Sequence, residues 1–156
     1  KEPFFRSWLL IISYTVNIMI PNADILFNDY GDIEIRNGDI AVLKNKILIL
    51  RQNVVDRIKT SFGDYKLYKS YGADLVSFIG KPQSSSLEEK ITQNIIRNLT
   101  FDKFLEQSSI GIAIVDIEGI YIIKVEVSTD IAAAYSLTTL KINTIFNSIN
   151  GVINVT

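Results

Sequence analysis

The chain of 156 residues contains no cysteine and no histidine, with only three prolines, one methionine and one tryptophan. The two zeros exclude disulfide frameworks, thiolate nucleophiles, zinc sites built on Cys or His, and any catalytic triad with an imidazole base. A surplus of positive charge is missing too: 16 Lys and Arg stand against 17 Asp and Glu, a formal net charge of −1. Nucleic acid is therefore not an expected partner, because no excess of cations is available to neutralise phosphates. Carboxylates, lysines, tyrosines and hydroxyls are all that remain for chemistry. The composition leans toward a scaffold, and no cofactor or metal is expected. What the chain has in quantity is isoleucine, 27 residues, beside 12 asparagines. Side chains branched at Cβ favour pleated, half-buried surfaces, so a strand-rich core is expected rather than a helical bundle. The length suits one domain with a real core.

Lys1 at the first position leads us to expect that the numbering begins inside a longer product. The most apolar run is Trp8-Leu9-Leu10-Ile11-Ile12. Ser7, Ser13, Thr15 and Asn17 interrupt the segment and Pro21 ends it, so no stretch reaches the roughly 20 apolar residues of a spanning helix. No A-x-A-like cleavage site follows, which disfavours a signal peptide. Membrane insertion is not expected, and an anchor over Phe4–Ile20 is the lesser alternative. From Ser13 the pattern has period 2, with Tyr14, Val16, Ile18 and Ile20 on one face. That is a half-buried strand, and a candidate for pairing with another chain.

Asn37-Gly38 between Asp32–Arg36 and Asp39–Val42 predicts a type I′ hairpin, since both turn residues tolerate positive φ. A helix follows, with Asn45 as N-cap and an apolar stripe at Ile47, Leu50, Val54, Ile58 and Phe62, stopping at Gly63. Gln52, Asn53, Asp56 and Lys59 lie away from that stripe. Leu75, Phe78 and Ile79 suggest a short helix, broken at Gly80-Lys81-Pro82. Ser86 and Glu89 have capping-box spacing, ahead of a helix whose Leu87, Ile91, Ile95 and Leu99 recur every four residues. The period then returns to 2 over Ile110–Val127, with a turn at Glu118-Gly119. Thr138, Leu140 and Ile142 suggest a further strand, and Asn150-Gly151 a terminal hairpin.

Carboxylate pairs are the remaining acid/base equipment. Glu88 and Glu89 are adjacent on a helix and point in different directions. Asp64 and Asp74 flank a tyrosine-rich segment and could meet in space. A glycosidase needs two carboxyls roughly 5–9.5 Å apart, one of them held protonated in an apolar pocket, and sequence shows neither property. The distinctive segment is Thr60–Gly72: helix end, Gly63, Asp64, three tyrosines and a second glycine, an ordered corner. Asp64 is expected to pair with Lys66 or Lys69, or to accept backbone N–H groups of the next turn. Tyr65, Tyr68 and Tyr71 offer flat apolar area with a polar tip, suited to an interface or to a partly buried corner.

In this order of motifs the chain resembles the baseplate-wedge proteins of contractile phage tails, whose relatives sit in tailocins and type VI secretion baseplates. The residues that carry the resemblance are Gly31-Asp32-Ile33 and Asn37-Gly38-Asp39-Ile40 before the helix, then Thr60, Gly63, Leu67, Tyr71 and Gly72, with Tyr65 at the family's aromatic position. Asp64 stands where the family has Glu, and Lys69 where it has Pro. The resemblance spans roughly Ile25 to Ser128, leaving both ends outside it.

The order of elements along the chain predicts one α+β domain, a small antiparallel sheet packed against two to three helices, with strand-like N- and C-terminal extensions. Residues 1–24 would be an intersubunit strand, 25–129 the wedge-family domain, and 130–156 a C-terminal strand or hairpin extension. The function that the resemblance implies is that of a structural subunit rather than an enzyme, present in six copies in the baseplate of a virion assembled in the bacterial cytoplasm. Its implied partners are other wedge proteins, the sheath protein and the tail-tube or hub proteins, with strands offered to the first sheath ring. The family's lysozyme-like label supplies the alternative, a peptidoglycan-degrading enzyme using a carboxylate pair.

Overall fold

Two residues at positive φ reverse the chain at Asn37-Gly38 (54° and 82°) and again at Glu118-Gly119 (51° and 89°), the φ signature of type I′ turns. Around these reversals the computed structural model describes residues 20–28, 30–134 and 139–155, apart from the side chain of Ile131. The first turn sits in a small ribbon made of β1 (Asp24–Ile25), β2 (Ile35–Arg36), β3 (Asp39–Ile40) and β4 (Val42–Leu43). β2 pairs with β3, β1 pairs with β4, and Phe27 stands opposite Ile33. Helix α1 (Lys46–Lys59) follows, then α2 (Ser85–Thr100), β5 (Ile110–Ile117), β6 (Ile120–Val127), the short α3 (Asp130–Ala134), β7 (Leu140–Asn147) and β8 (Ile153–Val155).

The last four strands form one antiparallel sheet in the order β5-β6-β7-β8. Alternation places Tyr121, Ile123, Val125 and Val127 of β6 and Leu140, Ile142 and Phe146 of β7 on the buried face. Against them lie the stripes of α1 (Ile47, Leu50, Val54, Ile58) and α2 (Leu87, Ile91, Ile95, Leu99), which complete a single core. The fold is α+β, an antiparallel sheet with helices on one face, as the sequence leads one to expect. Within the expected extension over 130–156, β7 and β8 belong to the same sheet and core as the hairpin before them.

Three boundaries differ from the sequence reading. α1 stops at Lys59, not Gly63. Thr60 is already extended (ψ 138°), and its hydroxyl donates to the Asp56 carbonyl at 2.6 Å, closing the helix before Phe62 can join the stripe. The N-cap of α2 is Ser84 rather than Ser86: its oxygen accepts the Leu87 N–H at 3.2 Å, and Glu89 is left exposed on the next turn. In the last hairpin Gly151 alone takes positive φ (76°), and the longer loop is held by the Asn147 side chain accepting the N–H groups of Ile149 (2.9 Å) and Asn150 (3.2 Å). Its strand β8 pairs with β7 of its own chain. Asn45 caps α1 as expected, accepting the Ile47 N–H at 3.0 Å. Thr138 lies outside the described residues, and β7 is described from Leu140.

Candidate functional site

A helix end leaves carbonyl groups without partners, and the Thr60–Asp74 corner exists by satisfying those of α1. The chain leaves α1 at Thr60, loops outward, and returns so that Ala73 N–H donates to the Arg57 carbonyl (3.0 Å) and Asp74 N–H to the Thr60 carbonyl (3.2 Å). Gly72 makes the return possible. Its φ is +107°, and any Cβ there would collide with the Thr60 carbonyl. Asn98 of α2 closes the junction from the other side. Its side-chain oxygen accepts the Gly72 N–H at 2.9 Å, and its amide group donates to the Arg57 carbonyl.

Inside the loop, two carboxylates take adjacent backbone amides. Asp64 Oδ2 accepts the Ser61 N–H at 2.8 Å, and Asp74 Oδ1 accepts the Phe62 N–H at 3.2 Å. Asp64 therefore reaches back toward the helix end instead of pairing with Lys66 or Lys69. Gly63 N–H donates to the Lys69 carbonyl at 3.0 Å and ties the two limbs together. Tyr71, half-buried, stands edge-on to Tyr65 (5.2 Å between ring centres) and to Phe101 (6.2 Å), with Tyr68 edge-on to Phe101 at 6.4 Å. The Arg57 guanidinium lies 4.8 Å from the centre of the Tyr71 ring and 4.1 Å from that of Phe104, and donates to the Asn98 carbonyl at 2.9 Å. Burial pushes the Tyr71 hydroxyl above its ordinary pKa, with Arg57 pulling the other way; burial also lowers the pKa of Arg57. The result is a fixed loop whose tip faces solvent: Leu67 is 90% exposed, with Tyr65 and Tyr68 exposed beside it.

The corner also forms one wall of a cleft of about 630 Å³. It is lined by Arg51, Val55, Asp56 and Lys59 of α1, by residues of the ribbon, and by Asp64 and Tyr65 of the corner. Gln52 holds the ribbon in place as a substitute strand partner, donating to the Ile25 carbonyl (2.8 Å) and accepting the Phe27 N–H (3.1 Å). Burial pushes the Asp56 carboxyl from 3.8 up to about 6, with Lys59 opposing and Asp24 reinforcing the rise. Among the described residues no hydrogen-bond donor reaches that carboxylate.

Of the residues singled out in the sequence, Thr60, Gly63, Asp64, Tyr65, Leu67, Tyr71 and Gly72 come together in the corner. Tyr14, Val16 and Ile18 lie outside the described residues, as does most of Phe4–Ile20; Ile20 packs against the core of its own chain. Asp64 and Asp74 serve neighbouring amides, while Glu88 and Glu89 sit on α2, away from the cleft lining. Asp56 was read from sequence only as lying away from the apolar stripe of α1. Its signal was an acid embedded between Val54-Val55 and Ile58, off the core stripe yet in apolar company. Among the described residues no group of three acidic side chains could hold a metal ion, and no helix is long and apolar enough to cross a membrane. No protein-family model matches the chain, and no curated protein is significantly similar to it.

Proposed function

We propose that this chain is a structural subunit of a contractile-tail baseplate wedge, joining other wedge proteins near the tube and offering strand edges to the first sheath ring. The observation that carries the reading is a sheet edge with no partner strand among the described residues. β5 runs for eight residues and pairs only with β6 among the described strands, and β7 extends beyond its pairing with β8 over Leu140–Asn143. Unpaired edge N–H and C=O groups recruit a strand from another chain, which gives mechanical strength without chemistry. The fixed, solvent-facing tyrosine corner supports the same reading, because a loop held by two carboxylates and a buried asparagine meets a partner with little ordering entropy left to lose.

The test is a map of the assembled tail particle, together with two variants. Six copies around the tube, with the outer edge of β5 bonded to a strand of a neighbour, are expected. Ala113→Lys on that edge and Asp64→Ala in the corner should each cut incorporation into particles while the purified variants remain folded. Particles that lack the chain, or that hold β5 with its edge in solvent, would sink the assignment. Degradation of peptidoglycan by the pure protein would point instead to the enzymatic alternative.

A further inference from the structure

We propose that the cleft between the ribbon, α1 and the corner is a receptor for an arginine side chain presented by another polypeptide, with Asp56 as its counter-ion. The site goes beyond the wedge reading and stands whether or not the chain serves in a tail.

The chemistry of the lining selects the guest. Leu26, Leu43 and Val55 line the cleft and match an aliphatic stem, while Asp56 matches a cationic head. Tyr30 and Tyr65 supply aromatic surface for a guanidinium, which stacks on rings as well as pairing with carboxylates. The chain already sets a guanidinium over aromatic rings twice, with Arg57 against Tyr71 and Phe104, and Arg97 at 4.6 Å from the centre of the Phe62 ring.

The lining carries three acids, Glu34, Asp56 and Asp64, and three cations, Arg36, Arg51 and Lys59, so selection falls to how they are paired. Glu34 is held by Arg36 at 2.9 Å, and Asp64 by the Ser61 amide, so Asp56 is the acid with no donor of its own among the described residues. Desolvation, reinforced by Asp24 from β1, outweighs the pull of Lys59 toward the ionised form, which is the condition of a carboxylate short of counter-charge. A cation entering the cleft supplies that charge; an anion deepens the deficit. Arg51 and Lys59 line the same cleft and define the competing outcome, an anion bridging the two.

The experiment is a titration of the isotope-labelled full chain, followed by NMR of its amides and of the Asp56 carboxyl carbon. Three probes are compared: N-acetyl-arginine amide, N-acetyl-glutamine amide and inorganic phosphate. The arginine probe should shift the amides of Val55–Lys59 and Tyr65 and bind at least about tenfold tighter than the glutamine probe. It should lower the Asp56 titration midpoint by about one unit, the linked equivalent of that tenfold preference, and weaken by a similar factor from pH 7.5 to pH 5. Asp56→Asn should abolish the preference for arginine over glutamine. The midpoint shift in the unsubstituted protein decides the matter even if that variant fails to fold. Equal binding of the two amides, an arginine affinity indifferent to pH, or tighter binding of phosphate to the same amides overturns the proposal.

Discussion

The Asn37-Gly38 and Glu118-Gly119 turns share the same signs of φ, yet the first closes strands of two residues and the second strands of eight. The difference lies in what the strands pack against. β6 presents Tyr121, Ile123, Val125 and Val127 to two helices, so each added pair of residues buries more apolar surface. β2 and β3 present Ile35 opposite Ile40 to solvent, and pairing there gains little beyond its own backbone bonds. The ribbon is held instead by polar side chains of α1: Gln52 on the backbone of Ile25 and Phe27, and Asn53 on Asp24 at 3.2 Å. A turn signal sets where a chain reverses; the neighbouring layer sets how far the reversal propagates.

The sharpest way to break that contrast is to truncate one isoleucine in each hairpin. Ile123→Ala, at a position with 0% exposure, should lose about 2–5 kcal/mol in urea denaturation. Ile35→Ala, 61% exposed, should stay within about 0.5 kcal/mol of the parent. Comparable losses would mean that the ribbon is covered in solution.

Alanine at three positive-φ glycines grades the same contrast more finely. Gly38→Ala meets open space, so only the backbone penalty of about 1 kcal/mol applies. At Gly119 the new methyl would lie 2.9 Å from Gln83 Nε2 and 3.3 Å from Ile149, and the loss should rise to about 2 kcal/mol, softened because both neighbours are side chains. Gly72→Ala meets a carbonyl that cannot move without unwinding the end of α1, and should lose about 3 kcal/mol or more. Thermal melts in any other order would show that the environment of these turns has been misjudged.

A gain in stability, smaller than the losses at Ile123 and Gly72, is expected in the cleft that joins the ribbon to α1. The carboxyl of Asp56 has a folded-state pKa raised from 3.8 to about 6, so its contribution favours the folded protein below pH 3.8 and is lost as pH rises through 6. Asp56→Asn should therefore stabilise the protein at pH 7.5 by about 1–2 kcal/mol, the full linkage value being reduced for partial solvent screening. Near pH 4 the gain should vanish. Melting temperatures that run parallel from pH 4 to 7.5 would contradict the burial of this group.

Period was legible wherever one face was buried. The alternation of Ile110–Val127 and the four-residue spacing of Leu87, Ile91, Ile95 and Leu99 read directly onto the core, because burial on one side enforces the pattern. Ends were harder to read. Phe62 continues the stripe of α1 by spacing, but local hydrogen bonds from Thr60, Asp64 and Asp74 compete with the helix and win. Three consecutive serines at 84–86 are chemically equivalent as caps, so the register came from Leu87 finding the core. The corner was visible because its residues are contiguous. The cleft was not, since Tyr30, Asp56 and Tyr65 meet only after the ribbon folds over α1.

Asn98 has a consequence for how the molecule bears load. One side chain on α2 grips the Gly72 amide with its oxygen and the Arg57 carbonyl with its nitrogen, while the backbone carbonyl of the same residue receives the Arg57 guanidinium. A pull on the exposed tip at Leu67 is thus divided between both helices before it reaches the sheet. The root of the corner is riveted to both helices, and tension that reaches Gly72 is shared between α1 and α2 for as long as they remain together.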